Sequence, residues 1–138
     1  MGNKGIQASR ILFIKEILEQ GSNLIGIAVK FIGRVIFYDP AKDLIIVEYQ
    51  KARIVVSTAL IGAIKLRCGN LLQLIGEISP SDEESKKFCQ QEVMLVARII
   101  TCTDGMDLTL YERYVKYRRE FEQEYLGLMY AQDATSLY

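Results

Sequence analysis

At 138 residues the chain has the size of one domain, with little room for a second. Half of it is apolar, a quarter is charged and two residues are proline, a composition that buries a core and excludes a disordered tail. Seventeen Lys and Arg cancel seventeen Asp and Glu, and histidine is absent. Net charge therefore favours neither nucleic acid nor membrane, and His-based triads and His-dependent metal sites are excluded.

Cys68, Cys89 and Cys102 lie far apart with no C-x-x-C pair, which excludes a zinc ribbon or a thioredoxin motif. The odd count, with no glycosylation sequon at Asn3, Asn23 or Asn70, reads as a reducing compartment and three small buried hydrophobes. Gly2 opens like a myristoylation signal, but Ile6 stands where Ser or Thr is wanted. The longest apolar runs, such as 24–29, fall far short of the roughly twenty residues that span a bilayer. The expectation is a soluble intracellular protein without membrane contact.

Neutrality hides an asymmetry. Residues 1–68 carry ten Lys or Arg against five acids, and residues 69–138 carry seven against twelve. Either one half faces phosphates, or the two halves attract one another within the fold.

In chain order, residues 1–23 form an N-terminal arm and a short element. Ser9 to Gln20 fits a helix through Ile11, Ile14 and Leu18, and equally a strand through the run 11–14. Gly21-Ser22-Asn23 breaks the chain. From Leu24 to Tyr38 the period is two, through Ile25, Ile27, Val29, Phe31, Val35 and Phe37, a long strand bent at Gly33. The turn 39–43 leads to strands at 44–49 and 53–58, joined through Gln50-Lys51-Ala52. A mixed connection ends at Asn70. Leu71 to Ile78 is a strand with Gly76 inside it, 79–91 a surface loop, and Val93 to Cys102 a fifth strand closed by Thr103-Asp104-Gly105.

Thereafter Leu110, Tyr114, Tyr117, Phe121, Tyr125 and Leu128 recur every three or four residues, as one helix face does. Asp107 is a candidate N-cap, Thr109 with Glu112 a capping box, and Gly127 frays the end. The domain reading is thus a barrel over 24–105, a helix over 106–128 and a flexible tail over 129–138. Five strands with a bent first strand and a closing helix imply an all-β, five-stranded Greek-key OB-fold barrel plus a C-terminal α-helix. Gly33 and Gly76 would permit its sharp coiling.

The segment 71–78, followed by Ala97-Arg98-Ile99-Ile100-Thr101-Cys102-Thr103-Asp104-Gly105-Met106-Asp107-Leu108, resembles the smallest subunit of the telomere-capping CST complex. Gly33-Arg34, Tyr38-Asp39 and Ser57-Thr58 fit the same pattern, and the likeness covers roughly 24–126. The resemblance implies an OB-fold subunit that heterodimerises with the middle OB-fold subunit of CST. It also implies work beside the large CST subunit, in the nucleus, at telomeric single-stranded DNA and with polymerase alpha–primase or telomerase. The smallest subunit of replication protein A has the same architecture and stays open as an alternative. So does a stand-alone single-stranded nucleic-acid binder.

Six of eight tyrosines lie from Tyr111 onward, at 111, 114, 117, 125, 130 and 138. An apolar arc that wide fits either a partner surface, which tyrosine suits because its ring is apolar and its hydroxyl tolerates water, or a helix that covers the barrel's end; the resemblance favours the partner surface. By position the resemblance gives Met106, Leu110, Tyr114, Phe121 and Tyr125 as partner-binding residues, and the helical stripe adds Tyr117. The basic run Lys116 to Arg119 reads as self-neutralised through the i,i+4 pairs Glu112–Lys116, Lys116–Glu120 and Arg118–Glu122. Nucleic acid would meet the second and third barrel strands, where Tyr49, Lys51 and Arg53 lie, with Lys30, Arg34 and Tyr38 on the first. That platform is sparse, so a weak DNA contact is expected. Asp104, Asp107 and Glu112 read as turn former and caps. No phosphate-cradling loop is present, and neither a catalytic site nor a metal or cofactor is expected.

Overall fold

The computed structural model describes the backbone of residues 9–136 and the side chains of residues 9–125. Six strands are β1 (Arg10–Ile11), β2 (Ala28–Asp39), β3 (Leu44–Tyr49), β4 (Ala52–Ser57), β5 (Leu71–Pro80) and β6 (Val93–Cys102). Three α-helices are α1 (Ile14–Gln20), α2 (Glu83–Phe88) and α3 (Leu108–Ser136). The strand order is β1-β2-β3-β4-β6-β5, and β2 also pairs with β5, which closes β2 to β6 into a five-stranded barrel. All barrel pairs are antiparallel except β4 with β6, which meet in parallel at Val56–Leu95 and Ser57–Val96. This is the expected OB-fold.

Residues 28–34 of β2 pair with β5 and residues 34–39 pair with β3, so Arg34 lies opposite both Leu71 and Glu48. The bend needs room. A Cβ on Gly33 would stand 2.9 Å from the Val47 side chain. On Gly76, beside the irregularity where β5 crosses β6, it would collide with the Val96 carbonyl oxygen. Gly76 thus permits a close approach of two backbones, and Gly33 leaves room for the Val47 and Ile14 side chains.

The ambiguous segment 9–20 resolves into both alternatives. Arg10 and Ile11 pair in parallel with Val29 and Lys30, and the helix α1 follows. The Phe13 N–H donates to the Glu16 carboxylate at 2.8 Å and fixes the helix start. Ile14 and Ile17, one turn apart, are fully buried with Val29, Phe31, Ile45, Val47, Ile54, Val56, Leu72, Leu74 and Leu95. The segment set apart at 1–23 therefore adds a strand to the sheet at Arg10–Ile11 and fills the core with Leu12, Ile14 and Ile17, while its first eight residues lie outside the described ones.

Three further expectations change. The long first strand begins at Ala28, because Gly21–Leu24 form a 3-10 turn and Ile25 is exposed. The loop at 79–91 contains α2: Asp82 accepts from the Ser85 N–H at 2.8 Å and from its hydroxyl at 2.7 Å. Cys68 and Cys102 are exposed and Cys89 half-buried, all three free, so they are not core hydrophobes. Burial pushes the Cys89 thiol pKa up, toward the inert neutral form.

Two compact units divide near residue 104. The second holds α3. Asp107 caps it: the Leu110 N–H donates to the Asp107 carboxylate at 3.1 Å, and the Tyr111 N–H to its carbonyl at 3.0 Å. The helix thus starts at Leu108 and not at the Thr109–Glu112 box. It passes Gly127 and reaches Ser136, so 129–136 is helix and not loose tail; no proline interrupts it and one glycine removes only about 1 kcal/mol. Tyr138 lies outside the described residues, as do the side chains of Leu128 and Tyr130. No described helix is long and apolar enough to cross a membrane.

Two predictions test this frame. Gly76→Ala should lower folding stability by about 1–3 kcal/mol, read by urea unfolding, because the backbone of β6 must give way; an unchanged midpoint would show that β5 and β6 are not so close. Asp104 accepts from the Leu71 N–H at 2.6 Å and the Asn70 amide at 3.0 Å, and the Leu71 bond chiefly lowers its pKa. A carboxylate stabilised when folded contributes above its unfolded pKa of about 4, and loses that contribution as pH falls through the lower folded value. Melting temperature should drop below that range, and Asp104→Asn should flatten the drop while lowering the value at neutral pH.

Candidate partner and nucleic-acid surfaces

Facing positions across an antiparallel ladder share a sheet face, so register alone sorts the side chains of β2, β3 and β4. Arg34, Glu48 and Arg53 stand opposite one another and form one row on the outer face. Arg34 donates to the Gly69 carbonyl at 2.8 Å, and Arg53 pairs with Glu48 at 2.6 Å. All three are at least partly exposed, so the ion pair contributes about 0–1 kcal/mol and remains open to competition by phosphate. Lys51 is exposed at the tip of the β3–β4 hairpin, whose residues Gln50 and Lys51 both have positive φ (51° and 69°), the pattern of a tight two-residue turn. Lys30 is half-buried on β2.

The two tyrosines are corrected. Tyr49 is 6% exposed and its ring stacks on Phe13, centroids 5.8 Å apart, so it is core and not a platform for bases. Tyr38 changes face. One extra residue between Val35 and Phe37 bulges β2, after which Phe37 lies opposite Ile46 on the outer face and Tyr38 opposite Ile45 on the inner. Its hydroxyl donates to the Ile64 carbonyl at 3.1 Å. The aromatic that the bulge presents outward is Phe37, which the alternation had assigned to the core.

On α3 the stripe is laid out as spaced. Leu110 (62%), Tyr114 (48%), Tyr117 (66%), Phe121 (66%) and Tyr125 (54%) are exposed, while Val115 is buried and Met106, before the helix, is half-buried. Phe121 and Tyr125 stack at 6.3 Å. Arg118 pairs with Glu122 at 3.0 Å and donates to the Tyr114 hydroxyl at 3.0 Å, which neutralises part of the basic run. Five large apolar side chains on one helix face form a surface that water covers poorly. Among the described residues no group of three or more His, Cys, Asp or Glu could hold a metal ion.

Residues 5–125 match the Ten1_2 family model, described as a telomere-capping CST complex subunit. The human CST complex subunit TEN1 is 24% identical over 103 residues, covering 72% of this chain and 78% of that protein. The crystal structure of the S. pombe telomere-capping protein Ten1 superposes with a TM-score of 0.63 at 15% identity, over 82% of this chain and 99% of that one. The S. pombe Stn1–Ten1 complex gives 0.64 at 15% identity, over 83% and 94%. A chain of U. maydis replication protein A bound to single-stranded DNA gives 0.59 at 16% identity, over 83% and 93%. These superpositions show the shared OB-fold.

The reassignment of Tyr49 has a direct consequence. Tyr49→Ala should lower folding stability by roughly 3–5 kcal/mol by leaving a cavity against Phe13. Lys51→Ala, at the exposed hairpin tip, should leave unfolding nearly unchanged. Equal unfolding midpoints for the two variants would return Tyr49 to the surface.

Proposed function

Because the chain belongs to the telomere-capping CST complex subunit family, which is not an enzyme family, we propose that it is the complex's small OB-fold subunit. In this reading it binds the middle subunit through α3, in the nucleus, and supports telomere end protection and lagging-strand fill-in. The observation that carries the partner assignment is the row Leu110, Tyr114, Tyr117, Phe121 and Tyr125, apolar and exposed on one face. Interfaces concentrate affinity in a few aromatic anchors, and tyrosine and phenylalanine at helical spacing supply them. That the S. pombe relative crystallised with Stn1 supports a middle subunit of that kind as the occupant.

Contact with telomeric single-stranded DNA is weak for the lone chain and measurable for the heterodimer. The outer row offers Arg34, Lys51 and Arg53 to phosphates but carries Glu48 among them. The large CST subunit and polymerase alpha–primase or telomerase are further partners in this reading. Membership in a replication protein A complex loses ground: the fold is common to both, and the family match over 5–125 favours CST.

The test is co-expression with the middle subunit. Phe121→Ala should reduce heterodimer affinity by about 2–4 kcal/mol while the melting temperature of the lone chain stays put. Unchanged capture of the partner with a large fall in melting temperature would make α3 a lid of its own domain and overturn the proposal.

A further inference from the structure

Beside the Arg34–Glu48–Arg53 row, the outer barrel face is apolar and covered by the chain itself. Phe37, Ile46 and Val55 form the next row across β2, β3 and β4. Leu44, Ile46, Val55 and Met94 are buried there, with Phe88 and Cys89 of the β5–β6 connection packed against them. The Phe88 ring lies on Phe37, centroids 5.1 Å apart and planes inclined by 36°. The Lys42 ammonium sits 5.4 Å from the centre of the Phe88 ring. Phe37 still exposes 37% of its surface.

The cover is anchored by Ser85, which is buried with its hydroxyl 3.1 Å from the Met94 sulfur, and its outer side is held by contacts with which water competes. Lys42 and Lys87 both pair with Glu84, at 3.1 and 3.2 Å, through exposed side chains. The Gln91 amide donates to the Arg53 carbonyl at 2.8 Å, which fixes its orientation and leaves Oε1 buried without a hydrogen-bond partner among the described residues. An open cleft of about 420 Å³, lined by Lys86, Gln90, Gln91 and Glu92, adjoins it.

Resting on the reading that the complex contacts single-stranded DNA, we infer that Phe37 is a base-stacking platform and that Phe88 occupies the place of a base while DNA is absent. The surroundings select a nucleic-acid strand over an apolar peptide. Arg34 and Arg53 line the adjoining row, Lys51 tips the same hairpin, and Lys42 stands over Phe88 itself. An aromatic face bordered by cations is what sequence-tolerant single-strand surfaces combine. A strand that exchanges its base for Phe88 displaces the α2 cover from Phe37.

The experiment uses the heterodimer and an oligothymidine carrying 5-iodouracil. Ultraviolet crosslinks, mapped by mass spectrometry, should fall on the peptide that contains Phe37. Phe37→Ala should weaken binding roughly tenfold, the scale of one lost stacked base. Phe88→Ala should tighten it several-fold. Where Phe88→Ala disturbs folding, Glu84→Gln removes both ion pairs of the cover, keeps Lys42 and Lys87, and should act in the same direction. Crosslinks confined to the partner subunit or to other peptides of this chain would overturn the inference, as would unchanged affinity in Phe37→Ala. Protection of this face by the partner subunit in the absence of DNA would assign it to protein and overturn it as well. Co-purification retained alongside any of these results leaves the subunit assignment standing; failure of the unaltered chain to co-purify would instead defeat that assignment.

Discussion

The double pairing of β2 is the constraint on which the barrel depends. One strand satisfies β5 along its first half and β3 along its second, so the sheet closes and no long backbone edge is left bare. Closure forces the strands to cross closely, and Gly33 and Gly76 stand where a side chain would meet a neighbouring strand. The interior so enclosed is filled by β-branched and leucine side chains together with Ile14 and Ile17 of α1.

A single extra residue in β2 then divides the outer face. Before the bulge, Arg34 continues the charged row with Glu48 and Arg53; after it, Phe37 heads an apolar row beneath Phe88. An uncovered apolar strip of that kind would be an aggregation site, and α2 shields it. The shield is small, capped by Asp82 and held outside by ion pairs to Glu84, so its attachment is weaker than that of the core strands. Hydrophobic burial and charge thus lie side by side on one face of the fold.

The two compact units bear different chemistry. The barrel unit places most of its apolar residues inside, while α3 carries five large ones exposed over four turns. Rings exposed on a helix gain from a partner that removes them from water. In the proposed reading the middle subunit of the complex covers that face.

How much could be read beforehand follows from which forces are local. The period-two runs, the turn residues, Gly33, Gly76 and the three-to-four spacing on α3 act within a few residues of themselves, and the sequence alone determined the barrel, the helix and the family. Faces were a different matter. Tyr38 and Phe37 exchanged faces because a bulge shifts parity by one, and nothing in the local alternation marks where the extra residue sits; Tyr49 continues the inward row of Ile45 and Val47 and is closed over by Phe13. Cys68 and Cys102 ended outside because their strand ends and loops lie at the surface. The cover of Phe88 on Phe37 joins residues fifty-one positions apart, and only the closed tertiary structure, by bringing the β5–β6 connection over β3 and β4, decided that the outer face would be half charged and half sheltered.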